Sequence, residues 1–115
     1  MLLYRSQTKE VQEILLEGLP LGLTSSGNYR THETELYPGD VVLLMTDGLP
    51  ERLDPDSNEY GYSRPMSVFR EIAHNSADRI CKLMVDAGDK WADGREQEDD
   101  ISVAVYKFLG DTPKN

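Results

Sequence analysis

The chain has 115 residues, room for one domain, with 38% apolar and 29% charged residues, so it can bury a real but modest core. Its longest apolar run, Val41–Met45, falls far short of the roughly 20 residues that cross a bilayer, and no basic segment leads into an apolar stretch at the N-terminus, so a cytoplasmic protein is expected. Lys and Arg number 12 against 21 Asp and Glu, a net charge of -9, and such a surface repels nucleic-acid backbones.

Leu2-Leu3-Tyr4 and Val11–Leu16 flank the polar stretch Ser6–Lys9, the pattern of a β-hairpin. Gly and Pro break up Gly18–Leu23, and Ser25–Asn28 is a loop by composition. Glu33–Tyr37 reads as a strand, followed by Pro38-Gly39-Asp40. Pro then Gly at the two central positions predicts a type II turn, because Gly takes positive φ without steric cost. Val41–Met45 returns as a strand expected to be covered on both faces, and Thr46-Asp47-Gly48 ends it.

Arg52–Arg64 is polar and reads as a loop. Two helices follow. Ser67 is the expected cap of the first, with Val68, Phe69, Ile72 and Ala73 on one apolar face. Ser76 caps the second, Asp78 suits the positive end of its dipole, and Ile80, Leu83, Met84, Ala87 and Trp91 form its apolar stripe. Gly94 is a suitable stop. The single cysteine, Cys81, excludes an internal disulfide and a Cys-based zinc cluster, and reads as a small core residue. Ile101–Phe108 is a β-branched and aromatic strand, and residues 110–115 read as a flexible tail. These elements predict an α+β fold, a mostly antiparallel sheet with two helices on one face.

Chemistry is expected where acids abut apolar strands. Asp47 directly follows Val41–Met45, and Asp99-Asp100 directly precede Ile101–Phe108. If the two strands are antiparallel neighbours, carboxylates from both sites meet at one sheet end. Crowded carboxylates repel one another, and a hard divalent cation such as Mg²⁺ or Mn²⁺ relieves that repulsion through oxygen ligands. Gly48 lets backbone or substrate come close. Read without that cation, Asp47-Gly48 is a common turn and Asp99-Asp100 a solvated strand start. Glu51 reads as solvent-facing, and His32 and His74 as structural or solvated. No serine has a His partner at motif spacing, and no Gly-rich phosphate loop is present.

Four stretches occur together in order: Pro20–Leu23, Leu36–Asp40, Leu43–Glu51 and Asp99–Val103. In this order and spacing they resemble the C-terminal half of a PPM-type metal-dependent serine/threonine phosphatase, in the bacterial branch of stage II sporulation protein E and the regulators of sigma factor B. The resemblance covers residues 1–109. It implies that Asp47 and Asp99 are metal ligands, that Asp100 supports them or terminates the turn, and that Thr46 and Gly48 shape the loop; no catalytic residue is implied beyond the ligands. It further implies two Mg²⁺ or Mn²⁺ ions activating a water against a phosphoserine or phosphothreonine, with a phosphorylated anti-sigma-factor antagonist as substrate.

The family places its other metal ligands in an N-terminal half that has no counterpart among these residues. The resemblance therefore implies either a piece of a longer phosphatase or a truncated, inactive relative serving as a protein-interaction module. In either case, helices shield only one face of the sheet. Leaving large apolar side chains in water costs about 1.5–3 kcal/mol each, so a homodimer built on strand residues is expected.

Overall fold

The computed structural model describes residues 1–14 and 33–110. The N-terminal hairpin forms as its polarity pattern predicts. Strands β1 (Leu2–Arg5) and β2 (Glu10–Glu13) pair antiparallel, with Leu2 opposite Glu13 and Arg5 opposite Glu10. The turn closes through the Lys9 N–H donating to the Arg5 carbonyl at 2.7 Å. The second strand is shorter than Val11–Leu16. Residues 15–32, with the Gly18–Leu23 and Ser25–Asn28 readings and His32, lie outside the described residues, as do residues 111–115.

Strand β3 (Val41–Met45) enters between β1 and the last strand, β4 (Val103–Lys107), giving the order β2-β1-β3-β4 with every pairing antiparallel. The type II turn that launches β3 is present. Gly39 has φ +93°, and the Asp40 N–H donates to the Tyr37 carbonyl at 2.9 Å. Glu33–Tyr37, expected as a strand, is not one. A hairpin through Pro38-Gly39 would need a free edge on β3, and both edges are already taken by β1 and β4. The segment is instead tied down by Arg5, which donates to the Glu35 carbonyl and to Thr34 Oγ1.

Asp40 anchors this corner. It is 1% exposed and receives hydrogen bonds from the Tyr37 and Ser6 backbone N–H groups, the Arg5 guanidinium and the Ser6 hydroxyl. Burial pushes its pKa up, but the donors together outweigh that and hold it below the ordinary carboxylate value.

The helices α1 (Ser63–Ile72) and α2 (Ala77–Ala92) lie on one face of the sheet. Helix α1 begins four residues before the expected Ser67 cap, and no side chain caps it. Pro65 sits in its first turn, where a missing N–H costs nothing. Helix α2 follows its reading closely. Ser76 Oγ accepts from the Arg79 N–H at 3.3 Å, and the helix ends in left-handed Asp93 and Gly94. Phe69, Ala73, Ile80 and Met84 are fully buried against Leu2, Val41 and Leu43. Tyr4 meets Phe69 edge-on with ring centroids 6.3 Å apart. Cys81, read as a small core residue, is only half-buried, with its thiol 3.9 Å from the Val103 carbonyl.

The expectation that Val41–Met45 is covered on both faces is not met. Val41 and Leu43 point to the helices and are fully buried, whereas Leu44 on the other face is 50% exposed. On the same face Tyr106, the partner of Val42 on β4, is 59% exposed. The helices cover one face only, so alternation along the strands leaves the other open. No described helix is long and apolar enough to cross a membrane.

Candidate functional site

The antiparallel pairing of β3 with β4 sets Met45 opposite Val103, so the residues after β3 and before β4 share one end of the sheet. Thr46 stitches that end. Its backbone N–H donates to the Ser102 carbonyl at 3.0 Å, its Oγ1 accepts from the Ser102 N–H at 2.9 Å, and the same hydroxyl donates to the Asp100 carbonyl at 3.4 Å. A threonine at this position extends the strand pair by one rung through its side chain.

Gly48 then packs directly against the segment that leads into β4. A Cβ placed on it would collide with the Asp100 carbonyl oxygen and lie 3.1 Å from the Asp100 carbonyl carbon. Only a residue without a side chain lets the two segments approach so closely. Leu49, fully buried, plugs the loop into the core, and the Glu51 N–H donates to the Asp47 carbonyl at 2.9 Å. Asp47-Gly48-Leu49-Pro50 is thus held from both sides, with the Asp47 side chain left at the surface.

The structure brings the Asp47-Gly48 and Asp99-Asp100 segments together, but the two carboxylates open onto neighbouring depressions. Asp47 faces one with Met1, Met45, Pro50 and Tyr62. The Tyr62 hydroxyl donates to Asp47 Oδ1 at 3.1 Å, and this hydrogen bond, with the nearby negative charges, raises the phenol's pKa. Asp99 faces the other depression with Gly48, Glu51, Arg52, Glu59, Glu96 and Glu98. Its Oδ1 accepts from the Asp100 N–H at 2.8 Å. Asp100 contributes its backbone to the contact with Thr46, while its side chain is exposed.

Two features were not legible in sequence. Tyr62 reaches Asp47 only because α1 starts early and presents its first cap residue to the sheet end. The segment read as a plain loop, Arg52–Arg64, runs into α1 at Ser63, and its residues 52–62 are an ordered wall of the second depression. Asp54 accepts from the Asn58 and Asp56 N–H groups and the Asn58 amide, Leu53 bridges to Glu59, and Trp91 Nε1 donates to the Asn58 carbonyl at 3.0 Å. Arg64, in the first turn of α1, stacks over the Trp91 ring at 4.1 Å and donates to the Tyr60 carbonyl at 2.6 Å, so it fastens the end of the wall to both helices. The Asn and Asp pattern of Asp54–Asn58 was the available signal, since such residues close turns through their side chains.

Asp47 and Asp99 are hard oxygen donors of the kind Mg²⁺ and Mn²⁺ take. Their number falls short, because among the described residues no three His, Cys, Asp or Glu side chains are grouped to hold a metal ion. The donor type fits such an ion; a complete coordination set is not present.

The sequence profile of stage II sporulation protein E (SpoIIE) matches residues 1–109. Among solved structures, the chain is similar to the SiaA-PP2C domain of Pseudomonas aeruginosa, with a TM-score of 0.71 and 25% identity over 93% of this chain and 42% of that one. It is also similar to the phosphatase domain of the cell fate determinant SpoIIE from Bacillus subtilis, in an Mn-presoaked form with a TM-score of 0.61 and in a second structure at 0.63. Both are 18% identical, over 98% of this chain and 48% and 49% of those chains. No curated protein sequence matches. The chain spans less than half the length of the structures it resembles. A profile match across nearly the whole chain, and the same fold in three phosphatase-domain structures, lead to one conclusion: the chain belongs to the stage II sporulation protein E family, with a PP2C-like phosphatase fold.

Proposed function

We propose that this chain carries the C-terminal part of the metal centre of a Mg²⁺- or Mn²⁺-dependent serine/threonine phosphoprotein phosphatase, with Asp47 and Asp99 as its ligands. The observation that supports this most is the clamp at the sheet end. Thr46 bonds to Ser102 and Asp100, and Gly48 lies against the Asp100 carbonyl. These contacts fix the Asp-Gly and Asp-Asp segments relative to each other, a condition for both to serve one metal centre. The proposed substrate is a phosphorylated anti-sigma-factor antagonist in bacterial stress or sporulation signalling, and the proposed location is the cytoplasm.

One observation favours a second reading, a catalytically silent interaction module: the described residues do not complete a metal site. The two readings divide on a pair of measurements with the purified chain. Mn²⁺ binding followed by electron paramagnetic resonance should weaken in both Asp47→Asn and Asp99→Asn, while hydrolysis of a phosphoserine peptide stays near background. Binding unchanged by either substitution contradicts the metal assignment and leaves the interaction module. Robust Mn²⁺-dependent turnover, abolished by Asp47→Asn, would contradict the partial centre and make the chain a complete enzyme.

A further inference from the structure

Asp47 and Asp99 are held in the same manner by different means. Asp99 Oδ1 accepts the N–H of its own neighbour, Asp100, whereas Asp47 Oδ1 accepts the hydroxyl of Tyr62, fifteen residues away. Among the described residues no donor reaches the second oxygen of either carboxylate. Each therefore presents one fixed oxygen and one open one. The Tyr62 hydroxyl owes its place to a short, stiff path back to the loop that carries Asp47. The Tyr60 N–H donates to the Arg52 carbonyl at 2.8 Å, and the Gly61 N–H donates to the Pro50 carbonyl at 2.7 Å. Gly61 takes φ +87°, a left-handed turn that swings the chain from these two bonds into α1. Neither the helix nor the core accounts for a tyrosine here. Tyr62 holds the N-cap position, where small polar residues are preferred, yet its side chain makes no cap bond and is 48% exposed. The hydrogen bond it does make goes to Asp47.

From this geometry we infer that Tyr62 is a positioning residue of the metal centre: its hydroxyl fixes the Asp47 carboxylate through Oδ1 and leaves Oδ2 for the cation. The inference rests on the reading of Asp47 as a metal ligand. A surface carboxylate turns broadly about its last torsion, and a cation that captures it must stop that motion at an entropic cost. A donor fixed on one oxygen has stopped it beforehand. The phenol suits this duty because it is a neutral donor; an ammonium or guanidinium in its place would repel the cation. The link runs in both directions. A cation that stills Asp47 also holds Tyr62, and with it the segment that leads into α1.

The test compares Mn²⁺ binding, followed by electron paramagnetic resonance, in the purified parent chain, Tyr62→Phe, Tyr37→Phe and Asp47→Asn. Tyr62→Phe keeps the ring and removes only the hydroxyl. It should weaken Mn²⁺ binding by about ten- to a hundredfold, the usual loss when the partner of a ligating group is removed, with the metal-free melting temperature unchanged. Tyr37→Phe is the control, because Tyr37 is equally exposed and its hydroxyl bonds a different carboxylate, Glu35, at 3.2 Å. It should bind Mn²⁺ as the parent does. Hydrogen exchange over residues 60–62, read by mass spectrometry, should slow when Mn²⁺ is added to the parent and stay unchanged in Tyr62→Phe. A tyrosine with a purely structural role gives no such difference. Parent-like affinity in Tyr62→Phe beside a loss in Asp47→Asn overturns the positioning role alone, as does an equal loss in Tyr37→Phe. Parent-like affinity in Asp47→Asn overturns the metal assignment and the positioning role together.

Discussion

Gly48→Ala is the sharpest test of the contact between the two acidic segments. The added methyl would sit roughly an ångström inside the distance of about 3.3 Å at which carbon and carbonyl oxygen ordinarily meet. It would also lie 3.1 Å from the Asp100 carbonyl carbon and 3.2 Å from Ile101 Cγ1. The obstacle is backbone. It cannot rotate away as a side-chain tip would, and it is tied on the same segment by the Thr46–Ser102 hydrogen bonds. Gly48 does not occupy the left-handed region, so sterics alone decide the outcome. Overpacking of this kind costs about 1–3 kcal/mol, which in a chain of this size lowers the melting temperature by about 4–15 °C. Thermal unfolding followed by circular dichroism reads the shift. Were the two segments apart, Ala would instead stabilise by about 0.4–1 kcal/mol, because it restricts the unfolded chain. A melting temperature equal to or above the parent's would refute the contact.

Asp40→Asn should cost about 1.5–3 kcal/mol, because it removes the charge from a buried set of hydrogen bonds. The folded-state pKa of Asp40 is lowered, so its contribution is present above the unfolded value of about 3.9 and is lost as pH falls through the folded value. Urea unfolding between pH 7 and pH 2 should show a smaller acid loss in the variant, and parallel pH profiles would contradict the assignment. Ser76→Ala should lower stability by about 0.5–2 kcal/mol by removing the α2 cap; Ser67→Ala, inside α1 and not at its start, should change it by less than about 0.5 kcal/mol. Trp91→Phe breaks the hydrogen bond to the Asn58 carbonyl, and amide hydrogen exchange should rise in residues 54–59 ahead of the core.

The sequence reading succeeded where a single local signal was unopposed. Pro38-Gly39 specified its turn, Ser76 its cap, and the β-branched runs at Val41 and Val103 the two strands whose pairing joins the acidic segments. It failed where tertiary structure decided. Glu33–Tyr37 has strand composition, yet β1 occupies the edge of β3 that it would need. Ser67 resembled a cap because it directly precedes the apolar face that starts at Val68, whereas α1 begins at Ser63 and carries Pro65 in its first turn, where proline is tolerated. Val41–Met45 is apolar throughout, which in a complete layered sheet signals two covered faces; here only the helix side is covered, and Leu44 is exposed. Tyr62 was invisible because nothing in residues 52–62 reveals that this segment folds back toward Asp47.

Asp47 and Asp99 are proposed to act on one cation from adjoining segments. Its most direct measurement is the Mn²⁺-induced change in melting temperature of four proteins: the parent, Asp47→Asn, Asp99→Asn and the double variant. A ligand that binds only the folded state stabilises it by mass action, by about 2.7 kcal/mol at a hundredfold excess over its dissociation constant. The account predicts a clear rise in the parent, most of it lost in either single variant, and little further loss in the double variant. That non-additivity is the mark of two residues serving one site. Equal Mn²⁺ stabilisation of all four proteins would contradict it.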